Sequence, residues 1–368
     1  MKILVSGAGV AGLASAINLG TRGHDVTVVE YGRDLRFSGS PIDIRGDALG
    51  IADRMGLLTT IRAQRIDTTE LAQFVDADGR PVAAAPIEEA SDSPDDVEIA
   101  REDLMRTIAD AVPDPDVIRF GDSVEELTDD GDGVDVRFRS GRTDRYDLVI
   151  GADGMHSAVR RLVFGPERDY VKHLGVYIAY ADLPGEGSRP DRVSTLYNVP
   201  GRMAGVIRFK DRALAAFMFR SDWLDYDHHD LEAQKKLLAD AFTDVTSWRV
   251  PELLDAALAD PALFFDSASQ IHMPSWHRGR VALVGDAAHC AAFLSGRGTS
   301  LALTGAWFLA EELDRAGGDH TVAFERYEAR QRPYATFAQE SIGKGRETLI
   351  PATWEDIEAR NERLRLGS

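Results

Sequence analysis

The chain has a single cysteine, Cys290, in 368 residues. A lone thiol excludes an intrachain disulfide, a cysteine-built metal cluster and a dithiol redox pair, and it agrees with a reducing compartment. Long apolar runs are also missing. The apolar stretches are strand-sized or broken by charge within a turn or two, so no membrane span is expected. Met1 to Gly7 has no signal-peptide layout, which makes a cytoplasmic location the expectation. Positive charge is scarce: 42 Lys and Arg stand against 61 Asp and Glu, for a net charge of −19. No basic cluster is long enough to follow a phosphate backbone, so nucleic acid and anionic membrane surfaces are not expected partners. The one histidine pair, His228-His229 among Asp225, Asp227 and Asp230, lacks helical ligand spacing and reads as a solvated loop, not a metal site.

What remains is a globular composition, 44% hydrophobic and 28% charged, on a chain long enough for two or three domains. Lys2 to Ser6 reads as an apolar strand, Ala11 to Arg22 as a helix and Asp25 to Val29 as a second strand, which together make one βαβ unit. Helical pattern follows over Asp47 to Met55, Leu57 to Ala63 and Arg101 to Ala111. A hairpin is expected over Leu71 to Val75 and Pro81 to Ala85, and an acidic loop over Glu88 to Glu98. From about Val171 to Ile271 the strands lengthen and carry more aromatics. After Arg280 to Val284, again a buried strand, a helix runs from Gly298 to Leu313, and charged amphipathic helix fills Thr321 to Arg365.

Gly7-Ala8-Gly9-Val10-Ala11-Gly12 sits between the first strand and the helix. The three glycines serve a tight turn, a close approach of backbone to pyrophosphate, and helix-on-strand packing, and the phosphates meet the positive end of a helix dipole. Gly7, Gly9, Ala11 and Gly12 are therefore expected cofactor contacts. Glu30, eighteen residues past the last glycine, stands where a carboxylate accepts hydrogen bonds from a ribose and repels a 2′-phosphate, so NADP is not expected in this pocket. These residues alone leave NAD and FAD open.

A second segment separates them. Val281 to Val284 delivers Gly285-Asp286, and Leu294-Ser295-Gly296-Arg297-Gly298-Thr299 then opens a long helix. An aspartate at a strand's carboxyl end suits a polyol such as the ribityl chain. Gly296, Gly298 and Thr299 let a helix N-terminus approach a flat ring and favour the anionic N1–C2=O region of a reduced flavin.

With Gly151-Ala-Asp-Gly-Met-His-Ser-Ala-Val-Arg160 and Arg280-Val-Ala-Leu-Val-Gly-Asp-Ala-Ala-His289 added, nearly the whole chain resembles the single-component FAD monooxygenases of the para-hydroxybenzoate hydroxylase type. The resemblance implies an α/β fold. A Rossmann-like FAD domain would take residues 1–70, 98–170 and 272–368 with the C-terminal helices, and a smaller α+β substrate domain on a mixed sheet would take 71–97 and 171–271. It implies that Asp153 and Gly154, with Ser157 and Arg160, serve both FAD and a transient NADH or NADPH, that Asp286 contacts the ribityl chain, and that Arg101 reaches the FAD. Arg33 and Arg45 are candidates to approach either cofactor, a position that an ordinary loop or helix-end arginine explains equally well.

The implied reaction is oxygen transfer from O2, through a C4a-hydroperoxyflavin, to an apolar aromatic or polycyclic small molecule by a monomer or homodimer. No protein nucleophile is needed, since the flavin carries the chemistry. His289 is the nearest acid or base, and a structural role is favoured for it. Phe293 occupies the place where the family usually has proline beside the flavin, and Arg297 the place of an uncharged residue. Phe293 is the feature that keeps a reductase or oxidase without oxygen insertion in view, and a non-catalytic flavin-binding redox sensor is the other alternative. Tyr177, Tyr180, Tyr197, Met203, Met218 and Phe219 could wall a substrate pocket, with Tyr177, Tyr197 and Met218 the chosen contacts, or form ordinary sheet core.

Overall fold

The computed structural model describes residues 1–35, 40–66, 71–86, 93–187, 193–342 and 345–366. Lys2–Ser6 and Asp25–Glu30 are apolar runs buried along most of their length, and they form strands β1 and β2 around helix α1 (Val10–Gly20). Strands covered on both faces need no polar alternation. Among the described residues they belong to a six-stranded sheet in the order β17 (His277–Arg278), β18 (Val281–Leu283), β11 (Leu148–Gly151), β1, β2 and β7 (Ile118–Phe120). From β18 to β7 all neighbours are parallel. The register sets Leu283 against Gly151 and Gly151 against Ser6, so three carboxyl ends lie level. That edge is where open α/β sheets hold their ligands.

Helix α1 packs on β1 and β2 and against α9 (Gly298–Arg315), which α10 (His320–Glu340) covers in turn. The helices α2 (Asp47–Arg54), α3 (Leu58–Ala63) and α4 (Arg101–Asp110) close this side, with the ribbon β3 (Ile42–Ile44) and β6 (Val97–Ile99) between them. The acidic stretch read as loop over 88–98 thus ends in a strand, and residues 88–92 lie outside the described residues. A three-stranded sheet, β8 (Val124–Asp129), β9 (Val134–Phe138) and β10 (Thr143–Tyr146), precedes β11. Short helices α5 (Ala158–Val163) and α8 (Asp286–His289) follow β11 and β18.

The second sheet has seven strands in the order β16 (Phe264–Ile271), β12 (Val171–Asp182), β15 (Arg212–Arg220), β14 (Arg202–Phe209), β13 (Ser194–Val199), β4 (Leu71–Val75) and β5 (Pro81–Pro86). It is antiparallel except at β13–β4, so it is mixed. One face buries Tyr177, Phe217, Phe219 and Phe265 against Leu238 and Phe242 of α6 (Leu231–Phe242) and Leu253 of α7 (Val250–Ala259). The opposite face buries Phe74, Ile178, Leu196, Met203 and Met218. Against these pack Phe293 and Leu294, together with Leu349 of α11 (Gly345–Leu349), Ile350, and Leu364 of α12 (Trp354–Leu366). None of the described helices is long and apolar enough to cross a membrane, and no described group of three His, Cys, Asp or Glu could hold a metal.

Candidate active site

Three turns meet at the level strand ends. A Cβ on Gly12 would lie 1.8 Å from the Gly7 carbonyl oxygen, and one on Gly7, which has φ +102°, would lie 2.5 Å from the Ala152 oxygen. Gly285, with φ +65°, would bring a Cβ to 2.8 Å from that of Ala11. Only hydrogen fits where these turns cross. Gly9 and Gly298 differ, since a Cβ on either would meet nothing within 4 Å. They face open space at the starts of α1 and α9, whose N-cap residues Gly9 and Arg297 offer no side-chain hydrogen bond to the first-turn N–H groups. Two uncapped helix N-termini with glycines on their open sides are a cradle for a long ligand with anionic and planar parts.

Glu30 is already anchored: its Oε2 accepts from Ala8 N and its Oε1 from Gly32 N, both at 2.7 Å. Each oxygen keeps a lone pair for a ribose hydroxyl. Asp286 opens onto the cleft but is walled by protein at depth. Burial raises its carboxyl above the usual range, against the lowering charge of nearby Arg101. Arg45 pairs with Asp43 (2.7 Å), donates its backbone N–H to Ser300 Oγ (2.9 Å) and brings its guanidinium to 3.2 Å from the Cβ position of Gly296. It thus joins the loop ahead of α9. Arg33 is exposed just beyond β2. Arg297 lies over the Phe337 ring at 4.7 Å, beside a 370 Å³ cavity between α2, α9 and α10.

The Asp153-Gly154 segment holds itself. Asp153 accepts from the Ser157 hydroxyl and from Val159 N (3.1 Å), and Ser157 caps α5 through Arg160 N (2.9 Å). Arg160 is wholly buried, with Nη1 on the Ala287 oxygen (3.0 Å) and Nη2 on the Met155 oxygen and Glu167 (2.9 Å). It fastens the β11 turn to the β18 turn. His289 lies 4.6 Å from Trp276 inside the core, and burial pushes its imidazole down to about 3, so it is neutral and closed to solvent. Ala292 takes φ +66°, a conformation that costs a residue with a Cβ about 1–3 kcal/mol, and it turns Phe293 onto the apolar face of the second sheet.

The aromatic residues proposed as a substrate wall divide between the two faces. Met203 and Met218, with Tyr180 alongside, face Phe293 and Leu294. Tyr177, Tyr197 and Phe219 face the other way, into the core beneath α6 and α7, where the Tyr177 hydroxyl accepts from Leu224 N (2.8 Å) and Tyr197 lies 5.8 Å from Trp248. Tyr177 and Tyr197, expected as substrate contacts together with Met218, lie on the face opposite to it, because strand alternation puts neighbouring residues on opposite faces. Beside Leu294, His173, Leu174, Gly175, Ile342 and Arg346 line a cavity of about 420 Å³.

The histidine pair lies in a loop whose Asp225, Asp227, His229 and Asp230 are exposed, as expected, but its rings are not free of the fold: His228 stacks on His156 (4.1 Å) of the β11 turn and His229 on Tyr31 (4.4 Å), next to Glu30. Burial disfavours a charged His156, but the Asp266 carboxylate, 3.6 Å from its Nε2, and the hydrogen bond of its Nδ1 with Glu167 (3.0 Å) outweigh it and raise the imidazole to about 9. Burial, and then the His156 charge, lowers His228 to about 4. His156 therefore contributes stability that is full below the ordinary imidazole pKa, about 6.5, and is lost as pH rises through about 9. His228 costs stability as pH falls from about 6.5 through about 4. Denaturation midpoints across pH 5–10 should peak near neutrality. In His156→Gln the alkaline limb, worth up to about 3 kcal/mol, should vanish.

The family described as FAD binding domain matches residues 1–340. The chain belongs to this family. An uncharacterized protein of Mycobacterium tuberculosis is 43% identical over 333 residues, covering 89% of this chain and 88% of its own. A flavin-dependent monooxygenase of Legionella longbeachae is 38% identical over 341 residues, covering 91% and 86%. Among solved structures the tetracycline destructase Tet(51) superposes with a TM-score of 0.86 at 34% identity, over 100% of this chain and 96% of that one. The protein is an FAD-dependent monooxygenase with an α/β fold of the para-hydroxybenzoate hydroxylase type, using NAD(P)H and acting on a small organic molecule. FAD fits the residues present: the cradle at Gly9 and Gly298 is open where the cofactor's backbone-close parts must lie, and Glu30 and Asp286 offer the acceptors its hydroxyls need.

Proposed function

We propose that this monooxygenase transfers one atom of O2 to a polycyclic, oxygenated aromatic molecule of about the size of a tetracycline, bound in the cavity beside Leu294, where the Phe293–Gly298 loop meets the apolar face of the second sheet. The observation that carries the reading is the convergence of Met203, Met218, Ile178, Phe293 and Leu294 on one apolar surface beside a 420 Å³ cavity with a polar rim. An apolar wall with few polar groups suits a large, mostly aromatic ligand. Likeness to a tetracycline destructase supports the size and class.

The bound flavin supplies hydride acceptance and oxygen activation. The turn Gly7–Gly12, with Ala11, and the α1 N-terminus would hold the pyrophosphate, Glu30 the adenosine ribose, and Asp286 with Arg101 the ribityl region. Gly296, Gly298 and Thr299 at the α9 N-terminus would hold the ring end of the flavin and would favour negative charge there. Arg45 steadies that loop from outside. Asp153 and Gly154 shape a turn that would serve the passing NADH or NADPH. Phe293, Leu294, Met203 and Met218 exclude water and orient the acceptor carbon.

Purified holoenzyme with NADPH or NADH and a panel of tetracyclines and smaller polycyclic phenols tests the reading. Substrate-dependent NAD(P)H oxidation with a product one oxygen atom heavier is expected. If no panel member is oxygenated while smaller monocyclic phenols are, the substrate reading is wrong.

A further inference from the structure

In a protein of net charge −19, the mouth of the 420 Å³ cavity is cationic. Arg346 of α11 lines it. Its Nη1 donates to the Leu174 oxygen (3.2 Å), while its Nε and Nη2 lie 3.1 and 3.0 Å from Glu347. The same carboxylate takes Arg220 Nη2 (2.8 Å), whose Nε donates to the Ile350 oxygen (2.7 Å). Although burial works the other way, these arginines hold the Glu347 carboxyl below its usual range, so it is a full anion shared by two guanidiniums.

Behind them Arg360 is buried and, among the described residues, donates to neutral acceptors: the Thr348 oxygen (2.6 Å), Asn198 Oδ1 (3.0 Å) and Asn361 Oδ1 (2.8 Å). It lies over Phe74, a residue of the apolar wall, at 3.6 Å. Burial and the charge of Arg363 lower it to about 10, which leaves it cationic at neutral pH. The acids of α12, Glu355, Asp356, Glu358 and Glu362, are exposed. Two guanidiniums, those of Arg346 and Arg220, thus share one carboxylate at the cavity. An arginine has five N–H donors, of which Arg346 commits three to protein.

We infer that the substrate carries an ionised oxygen, as a carboxylate, phenolate or enolate, and that Arg346 is the specificity-determining residue that grips it at the cavity mouth. The inference rests on the reading that this cavity takes the substrate. Its physical basis is that a guanidinium with spare donors and an over-neutral surround pairs with a planar oxyanion at little further cost. Arg220 and Glu347 position Arg346.

Binding to the FAD holoenzyme, read by flavin fluorescence without NAD(P)H, tests it. The probes are 3-hydroxy-2-naphthoate and its methyl ester, against wild type, Arg346→Gln and Arg346→Lys, with FAD content and melting temperature as controls on folding. Wild type should prefer the acid by about 10- to 100-fold. Arg346→Gln should lose that preference while its affinity for the ester is unchanged, and Arg346→Lys should recover part of it. The inference is overturned if wild type binds acid and ester alike, if it binds neither, or if Arg346→Gln weakens both equally, as a merely structural arginine would. The readout needs no turnover. Absence of the acid preference in wild type therefore sinks this inference alone, and failure to oxygenate polycycles with the preference intact sinks the substrate reading alone.

Discussion

Gly9→Val should give a folded protein that cannot hold FAD, whereas Gly12→Ala should fail at the level of the fold. The two glycines look interchangeable in sequence, but their surroundings are opposite. A Cβ at Gly9 meets nothing within 4 Å, so a side chain there costs the protein nothing until the pyrophosphate has to share the space. At Gly12 the Cβ would sit 1.8 Å from a backbone oxygen that cannot swing aside. FAD affinity should fall by about 100-fold or more in Gly9→Val, with the circular dichroism and melting of the apoprotein unchanged. Gly12→Ala should lose several kcal/mol of stability as well as the flavin. Equal behaviour of the two variants would mean that the first turn does not lie against the pyrophosphate.

Arg160→Met should destabilise the protein by about 3–5 kcal/mol, more than any exposed arginine of the chain. The side chain is wholly buried, and its guanidinium serves the Ala287 and Met155 carbonyls and Glu167 at once. Methionine fills much of the volume but strands two carbonyls and part of a carboxylate. Because Arg160 ties the β11 turn to the β18 turn, FAD should also bind more weakly and dissociate faster. Denaturant titration of the holoprotein reads the first effect and flavin release the second. A loss under about 1 kcal/mol would show that the two turns hold together without the arginine.

The cofactor half of the molecule was legible because its constraints are local. Gly7 to Gly12 lie within one strand–turn–helix, and Glu30 ends the next strand, so spacing alone puts them together. The second sheet was legible as strands, but its faces were not assigned. A period of two places Tyr177 and Phe219 on one side and Ile178, Tyr180 and Met218 on the other, so Tyr177 and Met218 cannot belong to one wall.

The ring stack of His156, His228, His229 and Tyr31 could not be found this way, since its members come from three separated segments that only the tertiary fold brings together. Arg346 was hidden for a similar reason. Within a charged C-terminal tail it is one arginine among many, and its meaning comes from Leu174 and Leu294, far away in sequence, which line the same cavity. Phe293 was noticed as a departure, but that it packs onto the sheet's apolar face depends on the left-handed turn at Ala292.

Oxygen insertion is the central claim, and isotopically labelled O2 tests it most directly. The holoenzyme should be supplied with NAD(P)H, the labelled gas and whichever polycyclic compound most accelerates flavin reduction, and the product examined by mass spectrometry. The account predicts one labelled oxygen atom in each molecule of product. Consumption of NAD(P)H and of the compound to give an unlabelled product would contradict it and would make the protein a reductase or oxidase on the same fold.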